Sequence, residues 1–366
     1  MSFINFIKPS VRALETYAVK GKPLQAGLIK LNQNENPFDV PESIKKEILS
    51  AFALSSWNRY PETFPLTLLK ALSEFTKHPV EGIIAGNGSN ELMYTILMAT
   101  VTKGTKVLIP QPSFFLYEKA VRVFDGEVIP ILMNGDFSFP TQKILDAAHR
   151  AKPSVIVLVS PNSPTGQSMP VAGVEEILKL NSSLVIVDEA YVEFSEKQSV
   201  QSLLSRYDNL VVLRTFSKAF SMAGLRIGYL LTNPGLRSEL LKPKIPFTVN
   251  NFSAATAMTL MKHTYLVTSR IAEIKQQKKA MWDAVQTIPS VEAFPSDTNF
   301  FIFRTPLDAV ALFQQLLERN VLVRDVSSYP MLERTLRVNV GTEKENKKFL
   351  ATLRTIFSTG TPSKKG

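Results

Sequence analysis

The chain reads as an α/β protein whose larger domain holds a mostly parallel central sheet flanked by helices, followed by a smaller α+β domain. Three observations carry that reading. Short β-branched runs alternate with longer segments of helical period, and the pattern changes after the Lys242-Pro243-Lys244-Ile245-Pro246 break. At 366 residues the chain also exceeds what one hydrophobic core usually supports.

Taken in order, the apolar runs are Gly82–Ala85, Lys106–Ile109, Val128–Leu132, Ser154–Val159, Leu184–Val187, Leu210–Leu213 and Leu225–Leu231. Between them Asn90–Thr100, Phe115–Phe124, Thr141–His149 and Val174–Leu180 repeat apolar residues at helical spacing. These elements place the larger domain at 41–246. Residues 247–358 form the smaller domain, opening on a long linking helix at about 251–287 and continuing through strands, a helix, more strands and a last helix. The first forty residues, with Pro9, Pro23 and Pro37, read as an arm lying across something larger. Residues 359–366 are rich in Ser, Thr and Gly and read as a disordered tail.

Composition excludes several kinds of chemistry. There is no cysteine, so thiol nucleophiles, disulfides and thiolate metal sites are ruled out. The three histidines, His78, His149 and His263, lie far apart without metal-ligand spacing. The formal charge of +10 is spread along the chain, and no block interleaves basic with aromatic residues as a nucleic-acid surface would. No segment has about 18 uninterrupted apolar residues, and the amino terminus lacks a signal-like apolar core. The expectation is a cytoplasmic enzyme with small-molecule partners.

Polar residues collect where the strands end, which is where open parallel α/β sheets hold their ligands. Val159 leads into Ser160-Pro161-Asn162-Ser163-Pro164-Thr165-Gly166, whose prolines are expected to aim Asn162 outward. Val187 leads into Asp188-Glu189-Ala190-Tyr191, and Leu213 leads into Arg214-Thr215-Phe216-Ser217-Lys218. Lys218, with Ser217 beside it and Arg226 further along, supplies a carbonyl-directed amine and two phosphate ligands. A basic surface loop has the same composition, so that run alone does not choose between the two. Gly86-Asn87-Gly88-Ser89-Asn90-Glu91 precedes a helical segment, so backbone amides at a helix start could face an anion. A glycine turn with a Ser89 cap is the competing explanation.

With these residues the chain resembles the fold type I pyridoxal-phosphate enzymes, and among them the histidinol-phosphate aminotransferases. The likeness extends through Leu31-Asn32-Gln33-Asn34-Glu35-Asn36-Pro37, Arg59-Tyr60-Pro61, Val321-Leu322-Val323-Arg324 and Leu336-Arg337-Val338-Asn339-Val340-Gly341-Thr342. It implies that Lys218 forms a Schiff base with pyridoxal 5'-phosphate and later moves a proton. It further implies that Asp188 pairs with the pyridine nitrogen, while Asn162 and Tyr191 bind the ring oxygen and Phe114 stacks on the ring. Ser89, Asn90, Ser217 and Arg226 would hold the phosphate, with Tyr60 reaching in from a second subunit, which implies a homodimer.

For the substrate, the resemblance implies Tyr17, Asn36, Asn162, Arg324 and Arg337, the arginines clamping a phosphate or carboxylate. The implied reaction is transamination of L-histidinol phosphate with 2-oxoglutarate. An aromatic or broad-specificity aminotransferase, a phosphothreonine-type decarboxylase and a non-catalytic cofactor-binding regulator are the alternatives. Three departures stand out: Asn90 where aspartate is frequent, Ser163 where a second asparagine is usual, and Ala18-Val19-Lys20 after Tyr17 where a proline turn is typical.

Overall fold

The computed structural model describes residues 3–16 and 27–359. The strands, in chain order, are β1 (Ile29–Lys30), β2 (Ile83–Gly86), β3 (Lys106–Gln111), β4 (Glu127–Leu132), β5 (Val155–Val159), β6 (Leu184–Asp188), β7 (Leu210–Thr215) and β8 (Gly228–Leu231). They continue as β9 (Glu292–Ala293), β10 (Phe300–Arg304), β11 (Val321–Leu322), β12 (Arg324–Asp325) and β13 (Thr335–Asn339).

Strands β2 to β8 form one sheet in the order β2-β8-β7-β6-β5-β3-β4. The pairs from β3 to β7 are parallel, whereas β8 runs antiparallel to both β2 and β7. Helices cover both faces, which is why β5 to β7 are nearly continuous apolar runs and not alternating ones. Successive residues still point to opposite sides. Ile156, Leu158, Val185 and Val187 pack into one core layer, and Val155, Val157, Val159 and Ile186 into the other. Each such fully buried side chain contributes roughly 1.5–3 kcal/mol of hydrophobic stabilisation.

The second sheet has the order β12-β13-β10-β9. Its inner strand β10 is buried from Phe300 to Phe303 beside the other inner strand, β13, and Phe303 meets Phe349 of the helix Glu343–Thr359 with ring centroids 6.0 Å apart. The arm is joined to this half, because β1 pairs in parallel with β11 through Ile29↔Val321 and Lys30↔Leu322.

Several elements differ from the sequence reading. The long linking helix is two helices, Asn251–Lys262 and Thr264–Gln286, because His263 at φ −102° and ψ 39° leaves helical geometry between them. Leu225–Leu231 contributes a strand only from Gly228, with a 3-10 turn at Ala223–Leu225 and Arg226 in left-handed geometry before it. Helices at Glu42–Ala53, Leu66–Thr76 and Pro234–Leu241 had no counterpart in that reading. Tyr17 and the tail from 360 onward lie outside the described residues. Among the described residues no helix is long and apolar enough to cross a membrane, and no group of His, Asp and Glu could hold a metal ion.

Candidate active site

A cavity of about 210 Å³ opens beyond the carboxyl ends of β5, β6 and β7. The sheet fixes its floor. Asp188 closes β6 between Val159 of β5 and Leu213 of β7, and the ladder runs one step further through Ser160 N–H to the Asp188 carbonyl at 2.9 Å and Glu189 N–H to the Leu213 carbonyl at 2.9 Å. Asp188 therefore cannot shift without breaking pairing on both sides.

A buried ionic network anchors the turn that follows. Arg214 donates through Nε to Glu189 Oε2 at 2.8 Å and through Nη2 to Ser199 Oγ at 2.9 Å, while Val200 N–H bonds Glu189 Oε1 at 2.8 Å. Burial alone would disfavour the Arg214 charge, but Glu189 and its neighbours raise its pKa overall. Removing one member would leave a buried charge uncompensated, a change that typically costs about 3–5 kcal/mol. The acid-bearing strand end is thus tied to the strand that carries the lysine loop.

Asp188 is 6% exposed, and burial raises its carboxyl to about 6. The Tyr117 hydroxyl donates to its Oδ2 at 2.8 Å and the Ala190 amide to its Oδ1 at 3.1 Å, both favouring the anion; Glu189 raises the pKa further and Lys218 lowers it. Lys218 Nζ donates to the Gln33 carbonyl at 2.9 Å and stands 5.7 Å from the centre of the Tyr191 ring. The Tyr191 hydroxyl accepts from Asn34 Nδ2 at 2.9 Å, so the arm forms one wall of the cavity.

One end of the cavity has the donors of an anion cradle. Ser89 and Asn90 open the helix Ser89–Thr100, whose start no side chain caps. Gly88 has φ +79°, and a Cβ there would lie 2.5 Å from Arg226 Nη2; a Cβ at Gly228 would lie 2.5 Å from the Ser89 amide nitrogen. The absence of side chains at both positions lets the turn close on the arginine. Arg226 Nη1 donates to Ser217 Oγ at 3.1 Å, which brings the hydroxyl and guanidinium to the same place. Helix-start amides, a hydroxyl and a guanidinium suit a phosphate.

At the other end stand Arg324 and Arg337, paired across β12 and β13. They are neighbours within the sheet, and Arg337 sits mid-strand. Arg337 Nη1 donates to Ser163 Oγ at 3.2 Å and Nη2 to the Asn32 carbonyl at 2.9 Å.

The structure thus gathers Lys218, Asp188, Tyr191, Ser89, Asn90, Phe114, Ser217, Arg226, Arg324 and Arg337 around one cavity. Asn162 does not join them. It is 1% exposed, and its Nδ2 donates to the Pro112 carbonyl at 2.9 Å and to Thr165 Oγ1 at 2.7 Å. The loop closes on itself through Gly166 N–H to the Asn162 carbonyl at 2.8 Å, which turns the amide inward and leaves the next residue, Ser163, facing the cavity. Asn36 lines an adjoining cavity and ties the arm to the lysine loop, donating to the Ala219 carbonyl at 3.1 Å. Tyr60 is 84% exposed, away from this chain's own cavity. Sequence reasoning did not assign Tyr117, Ser163, Gln33 and Asn34 to the site, although Gln33 and Asn34 lie in the arm run that carries the resemblance and Ser163 stood out as a departure from the family pattern.

Residues 26–353 match the family model described as aminotransferase class I and II. The chain belongs to that family. This aminotransferase is 43% identical over 352 residues to the histidinol-phosphate aminotransferase of Chlorobaculum parvum, a match covering 96% of this chain and 98% of that one. Its fold is similar to a histidinol-phosphate aminotransferase from Sinorhizobium meliloti solved in complex with pyridoxal-5'-phosphate, with a TM-score of 0.83 at 21% identity over 96% of this chain and 97% of that one. The aminotransferase also matches L-threonine-O-3-phosphate decarboxylase from Porphyromonas gingivalis, with a TM-score of 0.80 at 25% identity over 90% and 99% of the two chains.

Proposed function

We propose that this aminotransferase binds pyridoxal phosphate in the cavity and exchanges an amino group between L-histidinol phosphate and 2-oxoglutarate, giving imidazole acetol phosphate and L-glutamate. The observation that carries the substrate assignment is the cross-strand pair Arg324 and Arg337 in the same cavity as Lys218. Two guanidiniums side by side suit a phosphate or a carboxylate, so one subsite serves both partners of the exchange. The 43% identity to a histidinol-phosphate aminotransferase supports the same choice.

When bound, the cofactor supplies a carbonyl carbon that captures amines and a ring that accepts electrons. Ser89, Asn90, Ser217 and Arg226 would hold its phosphate. Asp188 would pair with the ring nitrogen and favour its protonated form. The Tyr191 hydroxyl, held by Asn34, and Ser163 would offer polar contacts to the ring, and Phe114 would pack against it. Lys218 would attach the cofactor through Nζ, and the same Nζ, when free and neutral, would accept a proton from the substrate and give it back.

We also read the chain as a homodimer working in the cytoplasm, in histidine biosynthesis. Leu54, Trp57, Tyr60 and Phe64 are more than half exposed, and Tyr60 packs on Phe247 with ring centroids 5.0 Å apart. Apolar surface on this scale supports burial against a second copy.

A phosphothreonine-type decarboxylase is the second reading, favoured by the fold match to such an enzyme. Steady-state assays with histidinol phosphate, phosphothreonine and phenylalanine separate the possibilities. Release of carbon dioxide from phosphothreonine, or preference for phenylalanine, overturns the first choice.

A further inference from the structure

Tyr117 lies beneath the site and does not line the cavity. It is 0% exposed, on the helix Phe115–Val123 that follows Phe114, and it packs edge-on against the Phe114 ring at 6.4 Å. Its hydroxyl meets Asp188 Oδ2 at 2.8 Å. A phenylalanine would fill the same apolar space without bringing a hydroxyl out of water, so the oxygen's contribution is to Asp188.

We propose that Tyr117 is a positioning residue that holds Asp188 as an oriented anion for the cofactor's ring nitrogen. With the Ala190 amide on Oδ1 and the Tyr117 hydroxyl on Oδ2, each carboxylate oxygen receives one fixed donor and keeps a lone pair for the cavity. Both donors favour the ionised form, opposing the burial that favours the neutral acid. Other charges facing Asp188 are Glu189, tied to Arg214, and Lys218. Burial and the neighbouring carboxylate also push the Tyr117 phenol well above its usual range, so it stays a donor across the working pH.

This inference rests on the cofactor reading and not on the substrate. The test is Tyr117→Phe, with cofactor affinity measured by titrating cofactor-stripped enzyme across pH and kcat and KM measured on the holoenzyme. Loss of a charge-assisted hydrogen bond predicts affinity weaker by about tenfold to a hundredfold. The acid limb of the affinity profile should move up by about one pH unit, and kcat should fall more than KM changes. In an Asp188→Asn background the same replacement should change affinity by less than about twofold, because the anion that the hydroxyl supports is already gone.

Equal loss in both backgrounds, or an unmoved acid limb in folded Tyr117→Phe protein, overturns the proposal. If Tyr117→Phe does not fold, 3-fluorotyrosine at position 117 supplies a stronger donor and should move the limb down; an unmoved limb overturns it equally. Native enzyme that fails to bind pyridoxal phosphate defeats the cofactor reading instead.

Discussion

Arg324 of β12 and Arg337 of β13 are direct cross-strand partners. Like charges opposite each other weaken a sheet by roughly 0.2–1 kcal/mol, so the pair works against the fold unless something compensates. Part of the compensation is internal: Arg337 bonds Ser163 and the Asn32 carbonyl and lies 5.0 Å over the Phe300 ring. An anionic substrate bound between them would add to it. Arg337→Ala should raise KM for both the phosphate-bearing donor and the dicarboxylate acceptor by about tenfold to a hundredfold. Arg337→Lys should recover only part, because an ammonium cannot form the same fork. Unchanged KM for either substrate in steady-state assays removes the shared subsite.

Lys218→Ala should abolish covalent retention of the cofactor and reduce turnover by several orders of magnitude. The proposed phosphate cradle of Ser89, Ser217 and Arg226 does not involve the lysine, so reversible binding should persist. Borohydride treatment followed by mass analysis checks the attachment. Stable labelling in the variant, or labelling of another lysine in the native enzyme, defeats the assignment.

Asp188 couples pH to both stability and binding. In the cofactor-free protein burial raises its carboxyl from 3.8 to about 6. Between those values the folded chain holds a proton that the unfolded chain has released. This group's stabilising contribution is therefore fully present below the unfolded value and is lost as pH rises to about 6. The loss is on the order of 3 kcal/mol. Cofactor affinity has the opposite sign, because pairing with the protonated ring nitrogen needs the anion; below pH 6 it should fall about tenfold per unit. Calorimetry of stripped enzyme and titrations at pH 5 and 7 measure the two trends. An affinity flat between those values removes Asp188 from cofactor binding.

Much of this site was legible in the sequence because parallel strands end where ligands bind, and their apolar runs are easy to see. Asp188 and Lys218 follow strands whose register leaves little freedom, so reading the strand end located the side chain. Asn162 escaped that logic. It sits inside a proline-flanked turn, where which residue faces the cavity depends on the turn's own hydrogen bonds and not on strand period. Arg324 and Arg337 were recognised as basic residues near strands, but their pairing depends on the register between two strands ten residues apart, which periodicity does not encode. Tyr117 falls within the segment of helical period Phe115–Phe124, where nothing in the pattern sets it apart; only its 2.8 Å contact with Asp188 distinguishes it.

Gly228 tests how closely the cradle is built. A Cβ there would lie 2.5 Å from the Ser89 nitrogen, 2.8 Å from the Gly88 carbonyl carbon and 2.9 Å from the Arg214 carbonyl oxygen. All three are backbone atoms that cannot swing aside. Gly228→Ala should destabilise the fold by about 1–3 kcal/mol through overpacking. It should also weaken cofactor binding by shifting the start of the helix Ser89–Thr100 away from Arg226. Thermal unfolding and cofactor titration report the two effects, and native-like affinity would mean that the helix start plays no part in holding the phosphate.

Tyr60 gives the clearest test of a shared site. It is 84% exposed and does not line the cavity of its own chain. If it completes the cofactor site of a second copy, Tyr60→Ala and Lys218→Ala homodimers should each be impaired through different halves of the same site. In a mixed dimer one site then carries both changes and the other carries neither. Unfolding and refolding equal amounts of the two variants together should restore about a quarter of native activity, since half the dimers are mixed and each has one intact site. The measurement is turnover of the mixture against the sum of the separate variants, with dimer content followed by sedimentation. Mixed dimers that form without any gain in activity would show that Tyr60 does not serve a neighbouring site.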